Sequence, residues 1–432
     1  MYELPEQFIE WMGRQLGDEL PAFLRTYEES YLRGLRINPL KQMDGGMHIE
    51  GLGEPVPWEP TGYYLAVESQ AGAKPLHEAG AYYIQEPSAM LPAAVLDAHP
   101  GERVLDLCSA PGGKATQLAG RMQGRGLLVC NEPVLKRAQV LARNIERMGV
   151  VNALVVSMMP DQLAARWPEG FDAIQVDAPC SGEGMFRRHP ETRDEWTPEN
   201  RDGCVKRQAE ILDAAAQLVR PGGRIIYSTC TMNTLENEEA VAAFCARHPD
   251  FAPEAFTLPG AEAPEGMLTC YPHRMRGEGQ FVARLRRAGE GSAWTETDKS
   301  LPKPDKTMLA ALREFDPLAP QPTGMLGDTM VCLPECPNLR GVKVLRCGLH
   351  LGTMKGRIFM PDHAWATSAC PPEMPRVPLT EQEAAQYQAG ETIRVDEALR
   401  GFVLPTLGGL PLGWGKVSGG VMKNHYPKGL RR

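Results

Sequence analysis

The chain has 432 residues, which is too long for one ordinary domain and predicts two or three. Hydrophobic residues make up 43% of it and charged residues 23%, so global disorder is excluded, and no apolar run approaches the roughly 18–20 residues that span a bilayer. The formal net charge of −8 argues against a protein that coats nucleic acid, but it leaves room for local basic patches. The 11 cysteines are scattered through the chain, which favours reduced thiols and predicts a cytoplasmic protein.

Residues 1–80 are predicted to form an N-terminal extension domain of mixed α and β structure. Apolar residues recur at helical spacing over 4–16 and again over 18–27. The stretch 34–39 is typical of a strand that ends in a turn, and the glycines and prolines after it indicate short strands and loops.

A strand, a glycine turn and a helix follow one another at Val104 to Lys114, in the stretch VLDLCSAPGGK. This order is typical of the first unit of a nucleotide-binding fold, in which small residues let the backbone approach a ligand closely. The turn lacks the G-x-G-x-x-G spacing of a dinucleotide site. An acidic residue, Glu132, ends the next strand pattern, where a carboxylate can accept hydrogen bonds from a ribose diol. Together these features predict a cofactor that contains a nucleoside.

Two later strand patterns each deliver a cysteine at their C-terminal end. They are DAIQVDAPCSGEG, which contains Cys180, and RIIYSTCT, which contains Cys230. Strand and helix patterns alternate over residues 81–290, which predicts a mostly parallel, doubly wound α/β sheet. Because ligands bind at the carboxyl edge of such sheets, we expect the glycine turn, the acidic residues and both cysteines to meet at one crevice.

The C-terminal part is predicted to begin after a linker at 291–305, which lacks apolar periodicity. Residues 306–432 contain one helix pattern, then short strand patterns separated by glycine and proline turns, and end in the basic stretch KNHYPKGLRR. Cys332 and Cys336 have the spacing C-x-x-x-C, but no second pair of cysteines or histidines follows at zinc spacing. We therefore predict no metal site.

The motifs DLCSAPGGK, NEPVLKR, DAPCSGEG and STCT, in this order and at this spacing, resemble those of the NOL1/NOP2/Sun family of RNA cytosine-C5 methyltransferases. The resemblance is strong from Tyr82 to about Arg287, and Arg36 and Asn38 match the family's Arg-x-Asn. The last 22 residues, 411–432, resemble the PUA-like RNA-binding domain of bacterial members that act on small-subunit ribosomal RNA. The resemblance implies a seven-stranded Rossmann-like domain, S-adenosyl-L-methionine as cofactor, and 16S ribosomal RNA or the 30S subunit as partner. We expect a monomer without a membrane partner.

The resemblance also implies roles for individual residues. Cys230 is expected to attack carbon 6 of cytosine, and Cys180 to assist release of the product. Asp177 would hold the nitrogen edge of the base, while Lys114 would support Asp177 and the thiolate. The residues expected to contact the cofactor are Cys108, Ser109, Ala110, Pro111, Gly112, Gly113, Lys114, Glu132 and Asp177.

One position departs from the family pattern. An Asp-Gly that contacts the adenine usually ends the third strand, but here the aligned residue is Met158 or Met159. We assign Asp161 as its substitute, and the alternative is that apolar side chains or the backbone contact the adenine.

Three other functions are consistent with parts of the sequence. A transfer RNA methyltransferase of the same family would share every motif. A DNA cytosine methyltransferase would use the Pro-Cys cysteine, Cys180, as its nucleophile, and Cys230 argues against that. A non-catalytic ribosome-assembly factor would bind RNA without turnover, which the intact catalytic motifs disfavour. In the loop after Cys180, we expect Arg187 and Arg188 to contact the RNA backbone.

Overall fold

The computed structural model describes residues 3–44, 48–293, 301–333 and 335–431. Residues 294–300 of the predicted linker lie outside these ranges, as does Arg432 at the basic end. Within the described ranges, no helix combines the length and apolar character needed to cross a membrane.

Among the described residues, the N-terminal part contains three α-helices and a small antiparallel sheet, and the first two helices agree with the predicted helical spacing. Its elements are α1 Glu6–Leu16, α2 Leu20–Arg25, β1 Arg33–Ile37, β2 Leu52–Pro55, β3 Gly62–Leu65, α3 Pro75–Glu78 and β4 Tyr82–Ile84. The sheet has the order β2-β3-β1-β4. The first two helices contribute Phe8 and Phe23 to an aromatic cluster that also contains Phe186 and Trp196, so this part packs against the loop that follows Cys180.

The central part alternates strands and helices as predicted. Its elements are α4 Leu91–Leu96, β5 Arg103–Asp106, α5 Gly113–Met122, β6 Leu127–Asn131, α6 Leu135–Arg147, β7 Ala153–Val156, α7 Pro160–Arg166, β8 Phe171–Asp177, α8 Thr192–Glu195, α9 Pro198–Leu218, β9 Val219–Thr229, α10 Glu238–Arg247, β10 Phe251–Pro253, β11 Phe256–Leu258, β12 Ala261–Ala263, β13 Met267–Cys270 and β14 Gln280–Arg287. Strand β6 is buried at every position, because helices cover both faces of the sheet.

Among the described residues, the central sheet has nine strands, and seven of them follow the order β10-β14-β9-β8-β5-β6-β7 expected of a Rossmann-like methyltransferase. Strands β5 to β9 pair in parallel and β14 pairs antiparallel with β9. The predicted fold class is thus confirmed. The two additional strands are β13, which pairs with β14, and an edge strand from the C-terminal part.

Strand β9 starts at Val219 and runs through Pro221-Gly222-Gly223, although proline and glycine favour turns. It ends at Thr229, and α10 begins at Glu238. The intervening residues form turns because Asn233 and Glu236 hydrogen-bond to the neighbouring loop.

The described residues of the C-terminal part form two further sheets. Its elements are α11 Lys306–Phe315, β15 Gly324–Leu326, β16 Thr329–Cys332, β17 Val344–Cys347, β18 Leu349–Lys355, β19 Ile358–Pro361, α12 His363–Ala366, β20 Arg376–Pro378, α13 Glu381–Ala389, β21 Ile393–Arg394, β22 Gly401–Leu407, β23 Leu410–Pro411, β24 Gly415–Ser418 and β25 Val421–Asn424. One sheet has the order β15-β16-β18-β19, and the other has the order β20-β22-β24-β25-β21 with β23 beside β22. Strand β17 instead joins the central sheet, antiparallel to β7.

Candidate active site

The glycine turn lies between β5 and α5, as predicted, and a residue from outside the turn supports it. Gly112 has φ 109°, a conformation that favours glycine, and α5 begins at the next residue. The guanidinium of Arg36, from β1, donates hydrogen bonds to the Gly113 carbonyl oxygen at 2.6 Å and to Thr116 Oγ1 at 2.9 Å. The side chain of Arg36 is 1% exposed. The N-terminal part therefore fixes the turn through one buried arginine.

The two acidic residues assigned to the nucleoside end lie in different environments. Glu132 directly follows β6 and is buried, and its carboxylate accepts a hydrogen bond from the Val134 backbone N–H at 2.9 Å and pairs with Arg137 at 3.2 Å. Asp161 is exposed, in the first turn of α7. Between them, the Asn131 amide donates to the carbonyl oxygens of Leu107 and Met158, both at 3.0 Å, and so ties three strand ends together.

The predicted catalytic residues converge where β8 and β9 end. These strands pair in parallel with Asp177 beside Ser228, so the chain brings Cys180 and Cys230 together a few residues later. Their sulfur atoms are 3.3 Å apart and share a hydrogen bond. Lys114 Nζ lies 2.8 Å from Asp177 Oδ2, and Ser228 Oγ donates to Asp177 Oδ1 at 2.9 Å. One carboxylate therefore links the glycine turn to the strand that carries Cys230.

The charges of this cluster favour different protonation states for its members. Burial alone would lower the pKa of the Lys114 ammonium, but the charge and hydrogen bond of Asp177 outweigh burial and raise that pKa above its ordinary value. The hydrogen bond with Cys230, together with burial and the charge of Glu236, raises the pKa of the Cys180 thiol well above its ordinary value. Cys180 is consequently a protonated thiol near neutral pH, and Lys114 is a cation.

A cavity of about 330 Å³ lies between the glycine turn and the cysteines. Among the predicted site residues, those that line it are Cys108, Ser109, Ala110, Pro111, Gly113, Lys114, Asp177 and Cys230. The described residues that line the cavity do not include Gly112, Glu132, Asp161 or Cys180. The structure thus brings the turn and the reactive groups to one cavity, with Cys180 directly behind Cys230.

Sequence reasoning missed several residues of the cavity wall. Tyr83 and Gln85 come from the end of the N-terminal sheet, Met185 from the loop after Cys180, and Glu278 from the segment before β14. Gln85 Oε1 also accepts a hydrogen bond from Arg36 Nε at 2.6 Å. These residues lie outside the four motifs, and no pattern in the sequence distinguishes them from ordinary loop residues.

Of the two arginines that we expected to contact RNA, only Arg188 is accessible. The side chain of Arg187 is 5% exposed, lies 3.4 Å from the Glu278 carboxylate, and donates to the Ser30 carbonyl oxygen at 2.6 Å. The prediction that it contacts RNA was therefore wrong, because the N-terminal part covers it. Arg188 is exposed and lines the cavity.

Asp106, at the end of β5, is a wall residue to which sequence reasoning gave no role. It is fully buried, its Oδ2 accepts a hydrogen bond from Ser109 Oγ at 3.0 Å, and its Oδ1 has no hydrogen-bond partner among the described residues. Burial and the nearby charge of Asp177 raise the pKa of Asp106 to about 7.

We expect Asp106→Asn to remove part of the pH dependence of stability between about pH 4 and pH 7. The folded state holds this proton up to about pH 7, whereas the unfolded chain releases it at about pH 4. The stabilising contribution is complete below the unfolded value and is lost as the pH rises through the folded one. Urea unfolding midpoints of both proteins across this window measure the effect, with Asp328→Asn, at an exposed site, as the control. Equal pH profiles for all three would contradict the assignment.

Four family models together match most of the chain. They are described as the N-terminal domain of 16S rRNA methyltransferase RsmF over residues 4–87, 16S rRNA methyltransferase RsmB/F over 93–286, the first C-terminal domain of RsmF rRNA methyltransferase over 312–368, and the methyltransferase RsmF PUA domain over 375–432.

Curated relatives and a solved structure agree with these matches. A ribosomal RNA small subunit methyltransferase F from Cronobacter sakazakii is 32% identical over 99% of this chain and 96% of its own length, and one from Salmonella paratyphi A is 34% identical over the same shares. A crystal structure of a methyltransferase homolog protein from Pyrococcus horikoshii is 26% identical, covers 66% of this chain and 95% of its own, and has a TM-score of 0.56. The chain therefore belongs to the Sun-family 16S rRNA methyltransferases, in the RsmF branch.

Proposed function

We propose that the protein methylates carbon 5 of a cytidine in small-subunit ribosomal RNA, and that Cys230 forms a covalent bond to the base during the reaction. The observation that carries the proposal is the pair of thiols, 3.3 Å apart, beside the Lys114–Asp177 ion pair at the mouth of the methyltransferase fold. The names of the curated relatives support the choice of ribosomal RNA.

The cofactor of this family is S-adenosyl-L-methionine, and the residues present fit it. The small-residue turn at 109–113 borders the cavity. Asp106 also lines the cavity, and its buried Oδ1 has no hydrogen-bond donor among the described residues. We assign the turn, Asp177 and the start of α5 to the methionine end, and Glu132 to the ribose diol. When bound, the cofactor supplies an electrophilic methyl group for carbon 5.

Cys230 is proposed to act as the nucleophile because of its neighbours. Lys114, held as a cation by Asp177, lines the same cavity as Cys230, where its ammonium can stabilise negative charge that develops on the base. Cys180 keeps its proton, and its S–H can donate a hydrogen bond to the sulfur of Cys230 across 3.3 Å. Addition of the Cys230 thiolate to carbon 6 makes carbon 5 enamine-like and nucleophilic.

Asp177 and Lys114 are proposed to hold the nitrogen edge of the cytosine. A carboxylate beside a cation can accept a hydrogen bond from the exocyclic amine while the ammonium stabilises charge that develops on the ring. After methylation, the proton of carbon 5 passes to a solvent water molecule. The electron pair of that C–H bond forms the double bond between carbons 5 and 6 again, and Cys230 leaves as a thiolate. Cys180 lies beside the departing sulfur, where its thiol can stabilise that thiolate.

The C-terminal sheet carries a feature that suits RNA. Lys416 and Lys423 lie directly opposite each other on β24 and β25, and both are exposed. Like charges at opposed positions repel each other, so an anion such as a phosphate group would relieve the repulsion. This arrangement supports an RNA-binding role for residues 375–432.

Methylation of purified RNA by the full chain tests the proposed function. We expect labelled methyl groups to pass from S-adenosyl-L-methionine to carbon 5 of a cytidine in 16S ribosomal RNA, either naked or in 30S subunits, and mass spectrometry to locate it. Because the enzyme is expected to recognise a structured target, transfer RNA serves as the competing substrate. Labelling of transfer RNA alone, or at an atom other than carbon 5, would refute the proposal.

A further inference from the structure

Two buried glutamates, Glu183 and Glu236, connect the loop that carries Cys180 to the loop that carries Cys230. Glu183 follows Cys180 in the chain, yet its Oε2 accepts hydrogen bonds from the backbone N–H groups of Met232 at 2.9 Å and Asn233 at 3.1 Å, just beyond Cys230. Glu236 follows Cys230, yet its Oε2 accepts a hydrogen bond from the backbone N–H of Ser181, next to Cys180, at 3.0 Å. Each loop therefore gives a carboxylate to the other.

Amide side chains join the two carboxylates into one network. Asn233 Nδ2 donates to Glu236 Oε1 at 2.8 Å and to Glu183 Oε1 at 3.0 Å. Gln208 Nε2, from α9, donates to Glu236 Oε2 at 2.8 Å and to the Pro179 carbonyl oxygen at 3.0 Å. The exposure of these four side chains lies between 0% and 4%. The network is therefore shielded from water on all sides.

Burying such a network lowers the stability of the fold unless its hydrogen bonds are all satisfied, which requires fixed relative positions of the two loops. Buried carboxylates lose their hydration, and within the described part of the chain neither Glu183 nor Glu236 forms an ion pair with a lysine or arginine. Hydrogen bonds from backbone N–H groups offset the loss only while both loops keep their relative positions. A small lateral shift of either loop would leave several buried donors and acceptors without partners.

We propose that Glu236 and Glu183 are positioning residues that fix the separation of the Cys180 and Cys230 sulfur atoms. Glu236 acts on Cys180 through Ser181, and Glu183 acts on Cys230 through Met232 and Asn233. This inference rests on the proposed function in one respect, which is that the separation of the two thiols matters for adduct release.

Glu236→Gln in the full chain tests the proposal, with Glu239→Gln, an exposed residue of the same segment, as the matched control. The amide has nearly the shape of the carboxylate, but it presents N–H groups to donors that need an acceptor. We expect kcat for methyl transfer to fall about 10- to 100-fold, with KM for RNA and for S-adenosyl-L-methionine changed less than about twofold. The control is expected to match the wild type.

A second readout does not depend on methyl transfer. In a glutathione buffer, one oxidised glutathione takes two electrons and two protons from the Cys180–Cys230 pair, giving one protein disulfide and two reduced glutathiones. Mass spectrometry of the linked peptides gives the equilibrium constant. We expect Glu236→Gln to lower it about 10-fold or more, because the sulfur atoms are no longer held together. Ser181→Ala keeps the backbone N–H but removes the hydroxyl that donates a hydrogen bond to Glu236 Oε1. It is expected to lower the equilibrium constant about threefold, and it serves if Glu236→Gln does not fold.

The two readouts separate failure of the inference from failure of the proposed function. An unchanged equilibrium constant in both variants would overturn the positioning role, whatever happens to turnover. A lowered constant supports it, even if the wild-type protein methylates no RNA, and in that case the proposed function alone would be refuted.

Discussion

Cys180→Ala is expected to accumulate a covalent protein–RNA complex that survives denaturing electrophoresis, whereas Cys230→Ala is expected to form none. Without the Cys180 thiol beside it, the bond between Cys230 and carbon 6 forms but breaks slowly, so the protein stays attached to its product. Without Cys230, no bond forms. Turnover in both variants is expected to fall by at least about 10³-fold, since removing one residue of a catalytic unit can cost nearly as much rate as removing the whole unit.

The experiment combines each variant with 16S ribosomal RNA and S-adenosyl-L-methionine. Cys370→Ala, which removes an exposed thiol far along the chain, is the matched control and is expected to behave as the wild type. If Cys230→Ala trapped the complex and Cys180→Ala did not, the nucleophile would be the Pro-Cys cysteine and the roles proposed for the two thiols would be reversed.

Asp177→Asn is expected to lower the rate of methyl transfer by about 10²–10³-fold, the effect of removing one charged group from a preorganised site. The substitution keeps the shape of the side chain but removes the negative charge beside Lys114. Burial then lowers the pKa of the Lys114 ammonium without the opposing charge and hydrogen bond of Asp177. The cytosine edge also loses its ionic acceptor, so both groups that hold the base are weakened at once.

Single-turnover kinetics with saturating cofactor measure this effect without a contribution from product release. Asp328→Asn makes the same chemical change at an exposed turn of the C-terminal part, and we expect it to leave the rate unchanged. A rate for Asp177→Asn within about threefold of the wild type would show that the carboxylate does not hold the base.

The elements nearest the site were predictable because local sequence determines them. The strand patterns in VLDLCSAPGGK, DAIQVDAPCSGEG and RIIYSTCT predicted the parallel strands, and the carboxyl-edge rule then predicted that the two cysteines meet. The Lys114–Asp177 contact was expected from the family motifs, and the structure places these groups 2.8 Å apart. The roles assigned to them remain predictions.

Contacts between distant parts of the chain were not predictable. Arg36 supports a turn 77 residues away, and Glu278 reaches a wall that the motifs do not mark. Arg187 and Arg188 are identical neighbours in the sequence, yet one is covered by the N-terminal part and the other faces the cavity. Such differences depend on which surface packs over a loop, and periodicity carries no information about that.

Strand β17 has a consequence for how the protein tolerates truncation. It pairs with β7 from Val344 to Cys347, and β7, whose four residues are apolar and buried, would otherwise be the outer strand of the parallel part of the sheet. A chain that stopped near residue 290 would retain the motifs of its active site but would present the open hydrogen-bonding groups of β7 to other copies. The C-terminal part thus covers the hydrogen-bonding groups of β7, and we expect a chain shortened to about residue 290 to be less soluble than the full chain.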